Sequence, residues 1–125
     1  MHLQESGEMY LETILILGKR SNTVRAVNVA EEMRISKASV SRALSRLKDE
    51  GCLIVDGAGN IAFTEKGRQI AEKIYERHLV LTEVIMSLGV DRETAAADAC
   101  KIEHDISDIT FQAMKNHIKQ YGKQE

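Results

Sequence analysis

At 125 residues the chain accommodates one domain, or two small units sharing a core. Aromatic residues make up only 4%, Trp and Pro are absent, and β-branched runs are few, which favours helices. A net charge of −2 argues against blanket affinity for nucleic acid. No apolar stretch approaches the ~18 uncharged residues of a membrane helix. The N-terminus also lacks the basic-then-apolar order of a signal peptide, so a cytoplasmic protein with no membrane partner is expected. Cys52 and Cys100 stand in unlike settings and speak for a reducing compartment rather than a disulfide scaffold.

A first helix is predicted from about Ser6, as N-cap, to Lys19, with Tyr10, Leu11, Ile14, Leu15 and Leu17 as its apolar face. Glu8 and Glu12 suit its positive end, and Gly18 with Ser21-Asn22 should stop it. A second helix covers Ala26 to Met33, with Val27, Ala30 and Met33 at helical spacing. After an Arg34-Ile35 turn, Ser36 caps a third helix reaching Glu50, with Val40, Ala43, Leu44 and Leu47 turned to the core. Gly51 stops it. Leu53-Ile54-Val55 and Ile61-Ala62-Phe63 flank the turn-rich Asp56-Gly57-Ala58-Gly59-Asn60, which predicts a hairpin. Thr64 caps a long fourth helix running through Ile70, Ile74, Leu81, Val84 and Ile85 to about Leu88, and this helix joins the two halves. Asp91 caps a fifth helix, a break follows near Asp105 to Ser107, and a last helix carries Phe111, Met114 and Ile118. Residues Gln120 to Glu125 should fray. The predicted fold is mainly α: a winged helix-turn-helix over residues 1–63, then a helical metal-binding and dimerisation domain over residues 64–125.

In a helix-turn-helix the N-terminal part of the second helix of the motif enters the major groove. Here that stretch is Ser36-Lys37-Ala38-Ser39-Val40-Ser41-Arg42. Small and hydroxylated residues permit close approach to DNA. Ser36, Ser39 and Ser41 can bond phosphate or base edges, and Arg42 can grip a guanine edge bidentately. Arg46 and the wing tip would lie near backbone phosphate. From Arg34 to Lys48 the chain carries five basic residues and no acid, a local basic face on an acidic protein. Each piece alone also suits a solvated helix face. The full order of helix, turn, basic helix, glycine stop and hairpin is far more specific than any part.

Cys100, Glu103 and His104 offer a thiolate, a carboxylate and an imidazole at i, i+3 and i+4, which one helical face would present together. Metals ordinarily take four or more ligands. The first helix offers Met9 and Glu12, with Glu8 beside them, and the fourth offers His78. The plain alternatives are structural: a lone Met is usually core filler, a lone Cys a small buried residue, and Glu-His a solvated face. Three donor types on one face make the joint coincidence harder to accept.

On these residues the chain resembles the metal-dependent repressors related to the diphtheria toxin repressor and the manganese transport regulators. The resemblance spans nearly the whole chain. Its landmarks are Ser6 through Ile14, Val29-Ala30-Glu31, Ser36 through Leu47, Thr64-Glu65-Lys66-Gly67-Arg68, Arg77-His78 and Cys100 through Ser107. It implies a homodimeric repressor, not an enzyme, that binds palindromic double-stranded operator DNA when Fe(II) or Mn(II) is plentiful and needs no organic cofactor. It implies metal ligation by Met9, Cys100, Glu103 and His104, as in iron-type members, and places Glu12 and His78 on ligand positions of manganese-type members. Met9 and Cys100 are the softer, iron-type choices, so Fe(II) is the expected ion and Mn(II) the alternative. The second, ancillary site of iron-type members needs a Glu and a His where this chain has Thr82 and Ala96. The mechanism this implies is a population shift, in which metal favours the dimer arrangement that sets the two reading helices about one DNA turn apart, roughly 34 Å. Its rivals are a metal-independent winged-helix regulator, a redox sensor using Cys100 and, far behind, a metalloenzyme, for which no separate base, nucleophile or oxyanion donor set stands out.

Overall fold

The computed structural model describes residues 5–121. Their elements run α1 (Glu5–Arg20), α2 (Ala26–Met33), α3 (Lys37–Asp49), β1 (Leu53–Val55), β2 (Ile61–Phe63), α4 (Glu65–Ser87), α5 (Arg92–Ile102) and α6 (Asp108–Tyr121). The chain divides into two compact units, Met1–Glu72 and Lys73–Glu125, and the division falls inside α4. Of the tail expected to fray, Gln120 and Tyr121 belong to α6, and residues 122–125 lie outside the described residues.

In the first unit α1, α2 and α3 pack on one another. Leu11, Ile14 and Leu15 of α1 are buried at the i, i+3, i+4 spacing that keeps apolar side chains on one face. The helix starts earlier and ends later than expected: Ser6 lies within its first turn, and Gly18 does not stop it. Lys19 and Arg20 follow in its last turn, where positive charge meets the negative end of the helix dipole. In α2 the buried pair is Val29 and Ala30, whereas Val27 is 37% exposed. The face follows the three-and-four spacing of residues 26, 29, 30 and 33, and Val27 falls off it. The turn to α3 uses Arg34 in the left-handed conformation, φ 59°, with Ile35 N–H donating to the Ala30 carbonyl at 3.2 Å.

Ser36 caps α3 through its Oγ, which accepts from Ser39 N–H at 3.1 Å. Val40, Leu44 and Leu47 are the buried stripe of α3, and Ala43 is half-buried beside it. Gly51, at φ 78°, takes the backbone out of the helix in a conformation that L side chains disfavour. The hairpin pairs Leu53 with Phe63, Ile54 with Ala62 and Val55 with Ile61, antiparallel. Leu53 and Ile61 point to the core while Ile54 is exposed.

The entry to α4 is tied to the end of α3 by several bonds. Thr64 Oγ1 donates to the Gly51 carbonyl at 2.6 Å and accepts from Gly67 N–H at 3.1 Å. Lys66 Nζ donates to the Glu50 carbonyl at 2.8 Å. A Cβ on Gly67 would stand 2.0 Å from the Cys52 carbonyl oxygen, so backbone has to move for any side chain there. Gly67→Ala is therefore expected to cost about 3 kcal/mol in urea unfolding, the upper end of ordinary overpacking. An unchanged midpoint would show that this junction yields freely.

In the second unit Ile74 and Leu81 of α4, Ala95 and Ala99 of α5, and Phe111 and Ile118 of α6 are buried. Asp91 caps α5 by accepting from Thr94 N–H at 3.0 Å. Ser107 accepts from Thr110 N–H at 3.1 Å at the start of α6. Leu79, Leu88, Ile102 and Ile109 leave apolar surface exposed on this unit. Among the described residues no helix is long and apolar enough to cross a membrane.

The expectation that Cys100, Glu103 and His104 share one helical face needs correction. α5 stops at Ile102 with Glu103 as its C-cap, and His104 lies in the turn beyond. Asp105 N–H bonds to the Ile102 carbonyl at 3.1 Å, which closes that turn three residues on.

Candidate metal centre and DNA-reading surface

The candidate reading surface belongs to the first unit. Ser36, Lys37, Ala38, Ser41, Arg42 and Arg46 are exposed and Ser39 is half-buried, so the candidate DNA-contacting side chains lie off the buried Val40–Leu44–Leu47 stripe. Ser36 Oγ donates to Ser39 Oγ at 3.0 Å, and Arg42 Nη2 donates to the same hydroxyl at 3.3 Å. These bonds pre-order the first turn of α3 and hold Arg42 near its N-terminus. At the wing, the Asp56 carboxylate accepts from the backbone N–H groups of Ala58 and Asn60, both at 2.9 Å, and from Asn60 Nδ2 at 3.2 Å. The Asn60 N–H, first among these, holds the Asp56 carboxyl below the usual carboxylate range.

The metal-ligand candidates of the second unit are brought together by α4 and the end of α5. One ligand atom from each of His78, Cys100 and Glu103 lies within 4.8 Å of the other two. His78 Nδ1 donates to Glu103 Oε1 at 2.9 Å and stands 3.7 Å from Cys100 Sγ. Glu103 is fully buried, Cys100 is exposed, and His78 lies between. A buried carboxylate is costly unless compensated. Glu103 Oε2 accepts no hydrogen bond among the described residues, and His104 Nε2 lies 3.5 Å from it. A carboxylate oxygen left without a donor, beside an imidazole and a thiol, fits a divalent transition metal.

His78 is pushed up from 6.5 to about 10, first by the hydrogen bond to Cys100, then by that to Glu103, against the opposing effect of burial. The metal-free site thus holds an imidazolium at neutral pH, whereas a ligating imidazole must be neutral. Metal binding is expected to release this proton, so affinity rises by about tenfold per pH unit below pH ~10 from this group alone. Competition titrations at two pH values check it, and a pH-independent affinity would contradict it.

Arg77 is the residue that sequence reasoning passed over as a bare landmark. Its buried guanidinium donates from Nη1 to the carbonyls of Glu103 at 3.1 Å and Ile106 at 2.8 Å. It also pairs with Asp108 and lies 5.3 Å from the Phe111 ring centroid. The carbonyls freed where α5 ends are thereby taken up, and the Glu103–Ser107 turn is held in place. The available signal was an arginine on the Ile70, Ile74, Leu81 stripe, where an apolar residue belongs. Asp108 is held below the usual carboxylate range, first by Lys73 and then by Arg77.

Met9 and Glu12 lie on α1, in the first unit; Met9 is 41% exposed and Glu12 is buried. Thr82 is buried, and its hydroxyl donates to the His78 carbonyl at 2.7 Å, so it is engaged with its own helix. Ala96 carries no donor atom.

A winged-helix unit followed by a helical unit with a His-Cys-Glu cluster defines the class of metal-responsive DNA-binding regulators. Residues 2–60 match the iron dependent repressor N-terminal DNA binding domain, and residues 64–124 match the iron dependent repressor metal binding and dimerisation domain. The chain belongs to the iron-dependent repressor family, whose members are transcriptional repressors that bind DNA, respond to metal and dimerise through the C-terminal domain. It is 33% identical over 107 residues to the iron-dependent repressor IdeR of Mycobacterium tuberculosis, covering 85% of this chain but only 46% of that protein. It is 28% identical over 121 residues to the transcriptional regulator MntR of Escherichia coli, covering 97% of this chain and 78% of the relative. The fold is similar to that of the manganese regulator SloR, with a TM-score of 0.80 at 24% identity over 95% of this chain and 55% of that one.

Proposed function

We infer that the chain is a non-enzymatic, cytoplasmic repressor of metal-homeostasis genes that binds a palindromic operator as a homodimer when Fe(II) is bound. Residues 1–63 read DNA, through Ser36, Lys37, Ala38, Ser39, Ser41, Arg42 and Arg46, and residues 64–125 hold metal and dimerise. The His78–Cys100–Glu103 cluster carries this reading. By resemblance to the family, Met9, Glu12 and His104 are further candidate metal ligands. A bound Fe(II) ion would replace, beside the buried Glu103 carboxylate, the positive charge that His78 gives up on losing its proton. Glu103 is positioned for that role by Arg77, and Cys100 brings the soft donor that favours iron over manganese. Mn(II) is the second reading, favoured because His78 stands in the cluster, at a ligand position of manganese-type members. A tenfold gain in operator affinity needs only about 1.4 kcal/mol of coupling.

A duplex enriched from a random-sequence pool by the metal-loaded protein supplies the probe. Under anaerobic, reducing conditions Fe(II), Mn(II), Co(II) and Zn(II) are titrated separately. Binding that appears with metal and vanishes with chelator supports the reading. Binding indifferent to chelator points to a metal-independent regulator, and release by peroxide with metal retained points to a redox sensor. Either outcome overturns metal sensing.

A further inference from the structure

The hairpin from Leu53 to Phe63 contains neither Lys nor Arg, and its charged residue is Asp56. A wing of that charge repels phosphate. The structure supplies a cation from elsewhere. Arg25, immediately before α2, sends its guanidinium across to the wing tip at Gly59. A Cβ on Gly59 would stand 3.2 Å from Arg25 Nη2 and 3.6 Å from Nε, so the arginine occupies the space a side chain would take. Gly59 is also at φ 88°, a conformation suited to glycine. The backbone around Arg25 is fastened to the same place. Ile61 N–H donates to the Val24 carbonyl at 2.8 Å, and Arg25 N–H donates to Asn28 Oδ1 at 2.8 Å. Arg25 is exposed, and no carboxylate pairs with its guanidinium among the described residues.

We propose that Arg25 is the wing's DNA contact: its guanidinium, seated on Gly59, binds a backbone phosphate that the hairpin's own residues would repel. This rests on DNA binding by the first unit. A cation held in place on a protein surface loses little conformational freedom when it meets phosphate, and Arg matches phosphate geometry bidentately. The contact adds affinity without reading sequence.

The test is the salt dependence of binding, by the metal-loaded full chain, to a duplex it has enriched from a random-sequence pool. Arg25→Ala is expected to lower the slope of log K against log salt by about 0.9, one phosphate contact, and to weaken binding about tenfold near 0.1 M salt. The loss should be similar on an unrelated duplex. Arg25→Lys should keep the slope. Ala58→Arg, added to Arg25→Ala, should restore it by placing a cation directly on the wing. An unchanged slope in Arg25→Ala, or weaker binding that Ala58→Arg does not rescue, overturns the proposal and leaves Arg25 a brace for the hairpin. Enrichment of no duplex by the wild-type chain overturns the DNA-binding reading itself, and this inference with it.

Discussion

Cys100→Ala is expected to weaken metal activation of DNA binding at least about 100-fold, while thermal and urea unfolding stay within about 0.5 kcal/mol of wild type. The two halves of this expectation have separate causes. Cys100 is exposed near the end of α5, so truncation opens no cavity. Its sulfur stands 3.7 Å from His78 Nδ1 in the candidate donor cluster, so the same change removes the proposed soft ligand. Loss of an outer-shell partner alone costs metal sites 10- to 100-fold, and a direct ligand should cost no less. The mass in solution measured by light scattering should match wild type. Metal activation equal to wild type in this variant would remove Cys100 from the site.

Arg77→Met is expected to show the opposite pattern, a large loss of stability together with a loss of metal affinity. The variant leaves the buried Glu103 carbonyl and the part-buried Ile106 carbonyl without their donor, each worth about 1–3 kcal/mol. It also removes the cation over Phe111. The Asp108 partner adds little, because that carboxylate is exposed. A total of about 3–5 kcal/mol follows, read as a lower urea midpoint. Below the unfolding range, metal affinity should fall about 10- to 100-fold, since Glu103 loses the group that orients its backbone. Full metal affinity in a folded Arg77→Met protein would confine the residue to a structural role.

The reading unit was almost wholly legible because its signals are local. Ser36 and Gly51 bracket α3, and the two apolar triplets around Asp56–Asn60 mark β1 and β2, all within a few residues of the effect they cause. The spacing points Val27 inward and the structure points it outward, because two valines flank Asn28 and only packing decides which face a short helix turns inward. The end of α5 was not legible for a different reason. Its termination at Ile102 goes with carbonyls bonded by Arg77, some twenty-five residues earlier in the chain, and no local stop signal stands there. Sequence offers His78 as one of several further donors to Cys100, Glu103 and His104, and the structure brings His78 within reach of Cys100 and Glu103 while His104 stays beside Glu103. Arg25 carries no signal in the sequence, because its partner is the empty space at Gly59, which no residue pattern announces.

The proposed soft-donor site and its proposed control of DNA binding can be tested in one sample by titrating Co(II) into metal-free protein with enriched duplex present. A thiolate-to-cobalt charge-transfer band and DNA binding should rise together, saturate at the same metal concentration, and both be lost in Cys100→Ala. Full DNA binding before any sulfur-to-cobalt band appears, or a saturated band with no gain in DNA binding, would contradict a metal switch centred on His78, Cys100 and Glu103.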